Sequence, residues 1–142
     1  MQIAFYKGKG NLWDWVVRKW TGSPYSHCEL VFSDGPFFSA DPRSNGVRYL
    51  TIEPDPAKWD FIDIEISLGE EKWLRRWSDV KVGCGYDWVG LFFGTVLHLG
   101  LEDIERYFCS EICSAALQAL GRIPEALPSK TNPGELYELL RS

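Results

Sequence analysis

The sequence predicts an α+β fold, because strand-like runs crowd its first half and helical periodicity takes over in its second. Two further observations support this. The chain has 142 residues, 45% of them hydrophobic, enough for one core, and no linker or repeat interrupts it, so residues 1–142 read as one domain. The strand-like runs also follow one another closely, which favours a single, mostly antiparallel sheet.

The elements come in this order. Residues 2–6 alternate like a strand and lead through a Gly-rich turn to Asn11. Asn11 and Asp14 have capping-box spacing, and Trp13, Val16, Val17 and Trp20 form an apolar helical stripe. Residues 26–32 make the clearest strand. Cys28, Leu30 and Phe32 share its apolar face, and His27, Glu29 and Val31 share the other.

Ser33, Asp34, Gly35 and Pro36 form a turn before a short strand over residues 37–40. An even, two-residue loop would turn Ser39 and Asp41 away from the His27 face, but Pro36 cannot donate the bond that closes it, so a three-residue loop is at least as well supported. That loop pairs Ser33 with Phe37, Ser39 with Val31 and Asp41 with Glu29, and it turns Ser39 and Asp41 to the His27 face. Residues 46–52 and 59–66 give two more strands. Helices are expected over residues 70–80, 86–97, 109–120 and 133–140, with Gly121 as a C-terminal cap after the third.

Composition narrows the function. A net charge of −5 without a basic cluster argues against nucleic acid as a partner. No apolar run reaches membrane-spanning length, and the opening residues read as a strand rather than a secretory signal, so a soluble cytoplasmic protein is expected. In that compartment Cys28, Cys84, Cys109 and Cys113 stay reduced. Cys109 and Cys113 have the i, i+4 spacing of metal ligands on a helix, but a zinc site needs more donors, and neither metal nor other cofactor is expected.

Cys109 stands where a helix is expected to begin. Unpaired N–H groups and the helix dipole favour a thiolate there, and the same groups could stabilise an oxyanion. An imidazole would add to that activation. By spacing alone, however, Cys109 continues the apolar stripe of Ile112, Cys113 and Ala116, and His27 is an ordinary strand histidine; Glu111 suits the helix dipole.

A family resemblance changes that balance. The segment Ser26-His27-Cys28-Glu29-Leu30-Val31 resembles the histidine strand of the circularly permuted papain-like hydrolases of the NlpC superfamily, which include YiiX-like cysteine peptidases and, more distantly, the lecithin retinol acyltransferase group. Gly85-Tyr86-Asp87-Trp88 is similar to the family's Gly-x-Tyr-Asp segment. Phe108-Cys109-Ser110-Glu111 is similar to its nucleophile motif, and Asn132-Pro133-Gly134-Glu135-Leu136 to its closing helix. The four occur in the family's order. The family's usual Gly-Asp opening before the first strand is not found here.

The resemblance implies a permuted papain-like fold and a cysteine hydrolase. Cys109 would attack an amide or related acyl carbon, with His27 as general base and then acid. It also implies a third polar residue on the neighbouring strand that orients the imidazole. Ser39 stands there, a departure from the more usual carboxylate, amide or imidazole, with Asp41 and Glu29 as alternatives. Tyr25 and Trp88 are candidate substrate-binding residues. Peptidoglycan stem peptides are the substrate suggested by analogy, and a phage-encoded protein would reconcile such a substrate with the absence of a signal peptide. The rival readings are a lipid acyltransferase or phospholipid hydrolase on the same fold, and a non-catalytic binding or structural module with a decayed site.

Overall fold

The computed structural model describes residues 1–41, 46–82, 101–124 and 131–142, without the side chains of Trp13 and residues 101–108. Five strands form one sheet: β1 (Gln2–Tyr6), β2 (His27–Val31), β3 (Phe37–Asp41), β4 (Gly46–Leu50) and β5 (Trp59–Asp63). Their order is β4-β3-β2-β1-β5, and every neighbouring pair is antiparallel. Four helices are described: α1 (Leu12–Thr21) lies between β1 and β2, while α2 (Leu68–Lys81), α3 (Leu101–Ala119) and α4 (Pro133–Arg141) follow the sheet. The α+β class and the antiparallel sheet agree with the sequence. The helix expected over residues 86–97 lies outside the described residues.

Local chemistry explains the helix starts. In α1 the Asn11 side chain accepts from the Asp14 N–H at 3.1 Å, and the Asp14 carboxylate accepts from the Asn11 N–H at 2.9 Å. Ser67 with Glu70, and Asn132 with Glu135, repeat this at α2 and α4. The α2 cap lies upstream of the expected start at residue 70, so the helix begins at Leu68. Gly134 permits a close approach, since a Cβ there would collide with the Ser23 side chain. The first turn of α4 is thereby seated on the chain that enters β2.

Alternation sets the two faces of the sheet. Ile3, Phe5, Cys28, Leu30, Phe38 and Ala40 enter the main core, where Leu74 of α2, Ile112, Cys113, Ala116 and Leu117 of α3, and Leu136 of α4 pack against them. The opposite face carries a smaller apolar cluster of Ala4, Val31 and Phe37. Beside it lie the buried polar residues Glu29, Ser39 and Asp41.

Two expectations need correction. The β2–β3 loop has three residues, as expected, but they are Ser33, Asp34 and Gly35, and Val31 rather than Ser33 pairs with Phe37. The closing bond runs from the Phe32 N–H to the Pro36 carbonyl at 3.0 Å, so the missing Pro36 donor imposes nothing. Gly35 takes the positive φ of 107° that such a loop requires. A shift of two residues preserves parity, which is why Ser39 and Asp41 still share the face of Glu29.

The second correction concerns α3. It already includes Leu101, eight residues before Cys109. Residues 101–108 contain no Gly or Pro, and Leu101, Ile104 and Phe108 extend the helical spacing, so nothing in that stretch stops a helix from running through it. Cys109 is therefore mid-helix. Its N–H belongs to the helical ladder, and neither the dipole nor free terminal N–H groups act on it.

Candidate functional site

Cys109, His27 and Glu29 come together although they are distant in sequence. Packing of α3 across β2 and β3 sets Cys109 over the start of β2, where His27 is the first residue. The imidazole joins the other two groups. Its Nε2 lies 3.0 Å from Glu29 Oε1, and its ring interacts directly with the Cys109 thiol. Both carboxylate oxygens of Glu29 also accept from Arg48, at 3.1 and 3.2 Å. The Ser39–Arg48 pairing of β3 with β4 puts Arg48 on this face, and Asp41 Oδ2 lies 3.6 Å from the same guanidinium.

Charge and burial polarise these groups in consistent directions. Bonds from the Cys28 thiol pull the Cys109 pKa down; burial works against this, but the His27 charge and the Cys28 main-chain N–H reinforce it, and the thiol ends well below its ordinary range. Burial pulls His27 down, yet Cys109 and Glu29 outweigh it, and the imidazole stays protonated well above its usual pH. Burial likewise raises Glu29, but His27 and Arg48 outweigh it and hold the carboxyl below its usual value. These directions favour a thiolate–imidazolium pair, with a carboxylate and a guanidinium behind it.

The ends of β2 and β3 explain why Cys28 can serve Cys109. The ladder pairs Leu30 with Phe38 and Val31 with Phe37. Beyond it, the Ser39 hydroxyl donates to the Cys28 carbonyl at 2.9 Å. The Cys28 N–H, no longer taken by a β3 partner, turns to the Cys109 sulfur. Ser39 thus meets main chain rather than the imidazole. Of the residues considered for that contact, Glu29 makes it, and Asp41 lies against Arg48.

Tyr25 is packed rather than open. It is 5% exposed, its ring lies 4.4 Å from that of Tyr137, and its hydroxyl donates to Asp60 Oδ2 at 2.7 Å. Trp88 and Cys84 lie outside the described residues. Among the described residues no group of three His, Cys, Asp or Glu is arranged to hold a metal ion, and no helix is long and apolar enough to cross a membrane.

Sequence reasoning missed three participants. Arg48 could have been found from strand parity, since an arginine on the Glu29 face has to be paired. Cys28 was assigned to the core alone. Glu111, assigned to the helix dipole, is half-buried with Oε2 unpartnered. Burial, with the Cys109 charge adding to it, raises its pKa from 4.5 to about 8. Compared with models of known protein families, with curated proteins and with solved structures, the chain matches none.

Proposed function

We propose that the protein is a cysteine hydrolase in which Cys109 is the nucleophile, His27 the general base and acid, and Glu29 the residue that orients the imidazole. The single observation that carries this reading is the His27 ring, which joins the Cys109 thiol on one side to Glu29 on the other. The permuted papain-like architecture suggested by the motifs belongs to the same proposal.

The chemistry follows from the charges. With Nε2 bonded to Glu29, Nδ1 is the nitrogen left to hold the thiol's proton. The thiolate attacks the acyl carbon, and the imidazolium returns its proton to the departing amine, leaving a thioester on Cys109. Neutral His27 then takes a proton from water, which attacks the thioester and frees the acid and the thiol. Glu29, fixed by both terminal guanidinium nitrogens of Arg48, stabilises the imidazolium through each step. An amide is the substrate class proposed, with peptidoglycan stem peptides as the first candidate.

One observation favours a second reading, a non-catalytic module: Cys109 is 0% exposed. Alkylation separates the two. At pH 6 a thiol of ordinary pKa is under about 1% thiolate, so an activated and reachable Cys109 reacts with iodoacetamide at least ~10-fold faster than a model thiol. His27→Ala removes that advantage, and hydrolysis of purified peptidoglycan stem peptides disappears in Cys109→Ser. If Cys109 is labelled no faster than the model thiol and His27→Ala leaves the rate unchanged, the nucleophile assignment fails.

A further inference from the structure

We infer that Cys28 is a resolving thiol for Cys109, and that peroxides convert the pair into a reversible Cys28–Cys109 disulfide that blocks the nucleophile. Three free cysteines, Cys28, Cys109 and Cys113, lie together in the main core, fully buried. Cys28 projects from β2 toward α3, and Cys109 and Cys113 are one helical turn apart on α3. Cys28 contacts both, and to Cys109 it donates its thiol hydrogen as well as its main-chain N–H.

The pair is chemically asymmetric, as a sensor and its resolving partner must be. Cys109 is polarised toward thiolate, while burial pushes Cys28 up and keeps it protonated. The Cys109 thiolate attacks the peroxide O–O bond and gains an oxygen as sulfenic acid. The departing hydroxide or alkoxide takes a proton from the His27 imidazolium. The Cys28 thiol then attacks the sulfenic sulfur, an S–S bond forms, and water leaves with the sulfenic oxygen and the thiol proton. The peroxide is reduced by two electrons and the two thiols are jointly oxidised by two. Without Cys28, a second peroxide takes the sulfenic acid on to irreversible sulfinic acid. The inference rests on the part of the proposed hydrolase that activates Cys109, the thiolate and its His27 imidazolium.

The test treats the full chain with near-stoichiometric hydrogen peroxide, blocks remaining thiols in denaturant, and maps tryptic peptides. Residues 20–43 carry Cys28 and residues 107–122 carry Cys109 and Cys113. The expected product is a linked pair of these peptides, with fragmentation placing the bond on Cys109, and dithiothreitol restores both thiols. Cys28→Ala gives irreversibly oxidised Cys109 instead, and circular dichroism checks that it folds. Cys28→Ser is the second variant if the alanine does not. A linkage to Cys113, or overoxidation of Cys109 at equal rates with and without Cys28, overturns the inference. If Cys109 alkylates rapidly at pH 6 but forms no link to Cys28, only the resolving role falls. Slow alkylation of Cys109 removes the activated thiolate on which both readings rest, and both fall.

Discussion

Replacing Glu111 with glutamine is expected to stabilise the protein in a pH-dependent way. The carboxyl is half-buried beside Cys109, and Oε2 has no hydrogen-bond partner. Its pKa is raised from 4.5 to about 8, chiefly by burial. A folded-state pKa above the unfolded one means that the folded state holds a proton the unfolded chain has released. Stability therefore falls as pH rises from about 4.5 and levels off above about 8. At about 1.4 kcal/mol per tenfold change in ionisation the limit is ~5 kcal/mol. Glu111 keeps contact with solvent, and screening reduces the realised cost to ~1–3 kcal/mol. Glu111→Gln removes the ionisation and with it the slope. Urea denaturation followed by tryptophan fluorescence, at pH 5, 7 and 8.5, reads the difference. The gain of the variant over the native protein is expected to widen from under ~1 kcal/mol at pH 5 to ~1–3 kcal/mol at pH 8.5. Parallel pH profiles would show that this carboxyl ionises freely, and the reasoning would be refuted.

Two further substitutions separate the candidates for the residue that orients His27. Glu29→Gln weakens a buried ion pair with Arg48 and removes the charge that favours the imidazolium. It is expected to cost ~2–4 kcal/mol at neutral pH and to slow alkylation of Cys109 at pH 6 at least ~10-fold. Because Glu29 has a lowered folded-state pKa, its contribution is present above about pH 4.5 and is lost on acidification through that lower value, so the stability deficit shrinks in acid. Ser39→Ala removes the bond to the Cys28 carbonyl and is expected to cost ~1–2 kcal/mol in urea denaturation while the alkylation rate stays within ~3-fold of native. A large rate loss in Ser39→Ala with none in Glu29→Gln would return the orienting role to Ser39.

Local features were legible in the sequence because they depend on near neighbours. Asn11 with Asp14 marked the start of α1, and residues 2–6 stand as β1. Gly121, with a φ of 65°, ends α3 as expected, and the Arg122 N–H bonds the Leu117 carbonyl at 2.9 Å. Period-two alternation put Cys28 toward the helices and His27, Glu29, Ser39 and Asp41 on a common face, and parity carried that result through a two-residue error in register.

Tertiary structure decided what parity leaves open. Nothing near Cys109 in sequence shows that its helix is already under way at Leu101, which removes the dipole as a source of activation. Activation passes instead to groups that reach Cys109 only when α3 packs on β2: the His27 ring, and the thiol and N–H of Cys28. Ser39 and Glu29 were equally placed by alternation. Their roles differ because the ends of β2 and β3 bond differently, committing the Ser39 hydroxyl to main chain, while Arg48 from β4 pairs with Glu29. Strand periodicity determines which way a side chain points. Which partner it meets depends on how separate elements approach in space, and that is settled only when the sheet and its helices assemble.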